Sequence, residues 1–125
     1  MPIVTTWETS GFVGVHSGNI TGEELRHSIT KIMFETAYRA ARYAIVDLRL
    51  VDKVSAKADD FEYVDMARIG SYQSNPGLKI AIVAPAHLSA WADQRSREMN
   101  SAPPEIRHDT QVFASMESAR AWAME

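Results

Sequence analysis

Tyr43-Ala44-Ile45-Val46-Asp47-Leu48-Arg49 is nearly continuous in apolar character over the length of one strand. So is its counterpart, Leu78-Lys79-Ile80-Ala81-Ile82-Val83-Ala84-Pro85. A run without polar alternation suits a strand covered on both faces. Both runs have helical periodicity on either side. Helices between such strands act as crossovers, and crossovers build a mainly parallel sheet. The two runs are therefore expected as parallel neighbours at the centre of an α/β sheet.

Toward the N-terminus, Ile3 to Trp7 and Phe12 to His16 flank the turn Thr9-Ser10-Gly11 and predict an antiparallel hairpin. Thr21 and Glu24 have capping-box spacing and open a helix. Its apolar stripe Leu25, Ile29, Ile32, Thr36 and Ala40 predicts a helix reaching about Ala41. Arg49 to Ala58 reads as a polar loop. A second helix is expected from about Lys57 to Ser74, with Asp59, Asp60 and Glu62 at the positive end of its dipole. Asn75-Pro76-Gly77 stops it. A third helix follows over His87 to Asn100, then the linker Ala102-Pro103-Pro104, a last strand within Ile106 to Phe113, and a helix capped by Ser115 and running to about Met124. The order is β-β-α-β-α-β-α-β-α, in a single domain over residues 1–125.

Composition narrows the function classes. The chain is 46% hydrophobic and 23% charged, as in an ordinary globular protein. The absence of cysteine excludes disulfides, thiolate metal sites and cysteine nucleophiles. A net charge of -3 gives no electrostatic reason to expect nucleic acid or an anionic membrane as partner. No apolar run approaches the roughly 20 residues that span a bilayer. The stretch Met1 to Trp7 lacks a basic region followed by an apolar core, so a cytoplasmic protein without a signal peptide is expected.

The strand Ala44 to Arg49 after a long amphipathic helix, the loop and helix that come next, and the ending Val112-Phe113-Ala114-Ser115-Met116-Glu117-Ser118-Ala119-Arg120-Ala121-Trp122 carry a resemblance. In these features the chain resembles the SpoIIAA-like group of small bacterial proteins, relatives of the STAS domain. The resemblance implies a mixed sheet of four or five strands with packed helices. STAS antagonists carry a phosphorylated serine in an Asp-Ser pair after the Asp-Leu strand. Here that loop reads Leu50-Val51-Asp52-Lys53-Val54-Ser55-Ala56-Lys57. Ser55 falls within a residue of the phosphosite, but the Asp-Ser pair is absent, so a phosphoswitch is not expected.

No catalytic, cofactor or metal constellation stands out. His16, His27, His87 and His108 are scattered, with no zinc-site spacing. Asp59, Asp60, Glu62 and Asp65 read as a solvated acidic face, with a hard-cation site at Glu62 and Asp65 as the alternative. Gly11, Gly14 and Gly18 fit no phosphate-loop pattern. Arg95 and Arg97 read as solvated helix arginines, with anion binding as the alternative. Asn19-Ile20-Thr21 matches a glycosylation triplet by chance.

The helix after Ser55 is apolar on two stripes: Phe61, Val64 and Arg68 on one, Tyr63, Met66, Ala67 and Gly70 on the other. A sheet covers only one. The second stripe would face a partner subunit, with Tyr63, Met66 and Gly70 as interface residues, or a small apolar ligand. The preferred reading is thus a non-enzymatic binding or regulatory module acting on a protein partner or on itself as a homodimer. A carrier of a small apolar, lipid-like ligand is the alternative, since relatives of the resembled fold include lipid carriers. A small hydrolase using Ser55 or His16 is the third.

Overall fold

The two apolar runs lie side by side and parallel. In the computed structural model, which describes residues 3–71, 74–103 and 107–125, strands β1 (Ile3–Trp7) and β2 (Gly11–Ile20) form the hairpin. The first apolar run begins β3 (Tyr43–Val54) and the second is β4 (Lys79–Val83), with β5 (Asp109–Phe113) beyond it. The sheet order is β1-β2-β3-β4-β5. β1 is antiparallel to β2, and every other neighbour is parallel, with Tyr43 opposite Lys79 and Asp47 opposite Val83.

Four helices cover this sheet: α1 (Gly22–Met33), α2 (Ala58–Gly70), α3 (Ser89–Asn100) and α4 (Met116–Ala123). From β2 to β5 the chain steps one strand at a time in one direction. Crossovers of one hand, stepping one way, place their helices on one face. Leu25 and Ile32 of α1 and Trp91 and Met99 of α3 accordingly pack over Phe12, Ala44, Ile80 and Ile82. The opposite face holds Val13, Ile45, Ala81 and Val83 and is covered by Ala119 and Ala123 of α4. Alternate residues of β3 and β4 therefore enter two different cores, which is why neither run alternates with polar residues.

Thr21 caps α1 by accepting from the Glu24 amide at 3.3 Å, and Ser115 caps α4 by accepting from the Ser118 amide at 3.1 Å. Three expectations need correction. Residues 49–54 are strand, not loop, because β3 continues to Val54 beside β2. Two irregularities each place one extra β3 residue against β2, between Val15 and Ser17 and between Gly18 and Asn19. Such bulges break the two-residue period. Leu48 and Val51 are buried three apart, while Leu50 is exposed.

The first helix ends at Met33 rather than near Ala41. Glu35 is extended, and Thr36–Ala40 forms a separate 3-10 turn. Asn75 holds that turn: its side-chain amide donates to the carbonyls of Tyr38 and Ala41, each at 2.7 Å. The buried His108 ring donates from Nε2 to the Asn75 carbonyl at 2.8 Å. A tertiary clamp thus overrides the helical stripe. Ala86–Leu88 is likewise a 3-10 turn ahead of α3. α2 closes at Gly70, and the expected continuation through Tyr72 and Gln73 lies outside the described residues, as do Pro104 and the Ile106 start of the last strand.

On the α4 side, Glu8 joins the hairpin to the last helix. Its carboxylate accepts from Arg120 at 2.8 and 3.0 Å and from the Tyr43 hydroxyl. The Arg120 hydrogen bonds, with that of Tyr43, hold the Glu8 pKa down at about 2 against an ordinary value of 4.5. A carboxylate with a depressed folded pKa contributes stability above its unfolded pKa and loses it as pH falls toward the folded one. Glu8→Gln should therefore lower Tm most at neutral pH, and the difference from the wild type should shrink between pH 4.5 and about 2. A pH series of thermal melts reads this directly.

Gly18, at the second bulge, has φ +66° with open space around it, so only its backbone conformation requires glycine. Gly18→Val should cost about 1–2 kcal/mol and lower Tm by several degrees with no change in secondary structure by circular dichroism.

Candidate functional site: an apolar chamber under the crossover helices

The centre of the sheet carries small side chains on the face beneath α1, α2 and α3. Gly14 has none, Ala44 has a methyl group, and Val46 lies opposite Gly14 across the β2–β3 pair. The helices bridge this low floor instead of settling onto it. A chamber of about 190 Å³ remains, floored by Gly14, Ala44, Val46, Ile80 and Ile82. Leu25, Ile29 and Ile32 of α1, Phe61 and Val64 of α2, and Trp91 of α3 form its roof. Burial reports the same hollow. No residue of α1 is fully buried, and Val46, in the middle of the central strand, is only half-buried.

Ile3, Thr5, Ser28 and Ile32 line both the chamber and a groove on the outer surface between β1 and α1. They mark where the chamber meets solvent. Farther out, the groove carries Glu23, Glu24, His27, Lys31 and Glu35. The apolar interior thus opens toward a charged rim at the sheet edge.

Three basic side chains line the interior. His16 is buried and donates from Nδ1 to the Gly14 carbonyl at 3.0 Å; burial lowers its pKa, so the ring is neutral at neutral pH. Arg95 is also buried, stacked 4.8 Å over the Phe61 ring, and binds both oxygens of Asp65 at 2.8 and 3.2 Å. It reaches Glu98 at 3.3 Å as well. Arg68 has no comparable partner. It is 4% exposed, its nearest carboxylate oxygen is that of Asp65 at 3.9 Å, and its Nε and Nη1 make no hydrogen bond among the described residues. Burial pulls its pKa down, Asp65 opposes that, and the Arg95 charge adds repulsion. A guanidinium stays charged in a protein regardless. Two buried arginines therefore share Asp65, and Glu98 is a second carboxylate against Arg95.

The residues singled out in the sequence fall elsewhere. Ser55 is exposed between β3 and α2; its hydroxyl donates to Asn19 Oδ1 at 2.6 Å. The start of α2 is held by Asp60, which accepts from the Lys57 amide at 2.9 Å. Ser55 and His16 are not brought together. Tyr63, Met66 and Gly70 all lie on the exposed side of α2, Met66 at 72% exposure. Tyr63 is engaged with α1, its hydroxyl 3.2 Å from that of Thr30 and its ring 4.7 Å beneath Arg26.

The acidic run is absorbed by ion pairs. Asp60 binds Arg26 at 2.9 Å and Asp65 binds Arg95 at 2.8 Å, while Glu62 is exposed. No group of metal-ligating side chains occurs among the described residues. Arg97 is exposed and pairs with Gln94. Arg95 was expected to be solvated and is buried, because Asp65 and the Phe61 ring replace its water. Sequence reasoning missed Arg68 as a special residue. The available signal was its place within the apolar stripe Phe61–Val64–Arg68. Among the described residues no helix is long and apolar enough to cross a membrane.

Asp65→Asn should remove the carboxylate that both arginines share, leaving Glu98 against Arg95 and no carboxylate within 4 Å of Arg68 among the described residues. Removing one partner of a buried ion pair costs roughly 3–5 kcal/mol, and the partial exposure of Asp65 should bring this to about 2–3 kcal/mol. Chemical denaturation of the variant measures it.

No protein-family model matches the chain, and no curated protein matches it. Solved structures do. The crystal structure of an uncharacterized protein of the DUF3478 family, with a SpoIIAA-like fold, from Shewanella loihica PV-4 is similar at a TM-score of 0.62 and 15% identity, covering 97% of this chain and 91% of that one. The anti-sigma factor antagonist SpoIIAA in its unphosphorylated form is similar at a TM-score of 0.57 and 13% identity, covering 98% of this chain and 97% of that one. Element order, sheet topology and these likenesses agree: the chain has the SpoIIAA-like fold.

Proposed function

We propose that this protein is a non-enzymatic binding module that holds a small apolar ligand in the chamber between the sheet and α1–α3. The chamber is the observation that carries the reading. An apolar void of about 150 Å³ is enough to take benzene, and this one has about 190 Å³ with almost wholly apolar walls and a mouth at the β1–α1 groove. A bound apolar ligand would supply these walls with the packing contacts they otherwise lack. Apolar walls with a few placed polar groups are the usual composition of a ligand pocket.

The fold is consistent with a binding role. One similar structure is an anti-sigma factor antagonist, a protein with a regulatory task. The side chains a small hydrolase would use, Ser55 and His16, hydrogen bond to Asn19 and Gly14 instead. Self-association through Tyr63, Met66 and Gly70 is the weaker reading, because Tyr63 already gives its ring and hydroxyl to α1.

Amide chemical shifts during titration with 1-octanol, a neutral apolar probe, test the chamber. The shifts should concentrate on β2, β3 and α1. Gly14→Leu should abolish them while keeping the fold: a Cβ there meets only His16 at 3.5 Å, and the rest of the side chain enters the void. Unchanged octanol binding by Gly14→Leu would place the ligand outside the chamber.

A further inference from the structure

We infer that the chamber's ligand is an amphipathic carboxylate: an apolar tail in the chamber, and an anionic head paired with Arg68. This rests on the chamber reading and adds the chemistry of the head group. An apolar chamber alone would select for size and shape. This chamber also has a buried cation in its wall whose Nε and Nη1 lack hydrogen-bond partners among the described residues.

Arg68 is 4% exposed, and its Nε and Nη1 are buried and unpartnered among the described residues. Removing a guanidinium from water without hydrogen bonds is strongly unfavourable, and such groups in native proteins are normally paired. The charged neighbours do not supply the pairing. Asp65 makes its short contacts with Arg95, at 2.8 and 3.2 Å, and stands 3.9 Å from Arg68. Arg95 itself repels Arg68, and the Tyr38 hydroxyl is bonded to Ser71 at 2.9 Å. Both nearby carboxylates, Asp65 and the half-exposed Glu98, bond Arg95, so the cluster balances in formal charge while neither comes closer than 3.9 Å to Arg68 among the described residues.

A carboxylate matches the fork of a guanidinium with two parallel hydrogen bonds. Pairing requires the Arg68 side chain to turn toward the chamber that it already lines. The head would then satisfy the orphan nitrogens. The tail would meet Val46, Ile82, Leu25, Ile29 and Val64, which form the adjoining walls. A neutral amphiphile gains only the second contact. An amine would meet two like charges.

Calorimetric titration with octanoate and with 1-octanol separates these contributions. Wild-type protein should bind octanoate about ten- to hundredfold tighter than octanol, the range of a hydrogen-bonded charge pair. In Arg68→Met the octanoate preference should vanish while octanol binding is kept. Ligand-free Arg68→Met should melt at the same or a higher temperature, since it removes an unpaired buried charge. Octanol binding with no preference for octanoate would overturn the Arg68 assignment and leave the chamber standing. Binding of neither would overturn the chamber itself. An octanoate preference that survives in Arg68→Met would move the anion away from Arg68, and a sharply lower melting temperature would show that its guanidinium is already paired in the free protein.

Discussion

Three crossovers of one hand, stepping in one direction from β2 to β5, force α1, α2 and α3 onto a single face of the sheet. The rest of the structure depends on that constraint. Three helices on one face must be held at a common height, and the tallest contacts set it. Phe12 and Leu48 flank a floor whose centre carries the small residues Gly14 and Ala44. The helices rest on the rim and span the middle. On the other face, α4 is the one helix that meets the floor among the described residues, and its Ala119 and Ala123 allow close approach to Ile45, Ala81 and Val83. One face is tightly packed and the other hollow, from the same two strands.

Polar chemistry divides along the same line. On the packed face, the polar group that crosses between elements is satisfied: Glu8, Arg120 and Tyr43 complete one another and hold Glu8 ionised at acidic pH. The Asn75 clamp is likewise closed, with both side-chain N–H groups donated to carbonyls. On the hollow face, Arg68 is left with unmet hydrogen-bonding capacity beside an apolar void. Buried polar groups that rigidify a fold are fully connected, and a group left open in a native structure points to something that completes it. That contrast sets Arg68 apart from the closed polar clusters.

The fold was legible because it rests on continuous apolar runs. Ile45, Ala81 and Val83 announce the second core as clearly as Ala44, Ile80 and Ile82 announce the first. The capping positions Thr21 and Ser115 were legible for the same local reason, since a cap involves only its own turn. What escaped depends on contacts distant in sequence. The strand through Val54 was hidden by two bulges that convert a two-residue period into a three-residue one. The early end of α1 is imposed by Asn75, more than thirty positions away in the chain. The chamber leaves no motif, because Gly14 and Ala44 are ordinary strand residues until a helix is required to span them. The second stripe of α2 was read as the unusual one, yet the first stripe, with Arg68 among apolar neighbours, holds the uncommon feature.

The account stands or falls on whether the space beneath α1 and α2 is a real apolar void. Crystals of the ligand-free protein under xenon pressure test it most directly, because xenon occupies dry cavities of this size without needing a polar contact. The account predicts a xenon site between Val46 and Ile29, with the helices unmoved. Crystals that take up no xenon there, with α1 closed down onto Gly14 and Ala44, would contradict it.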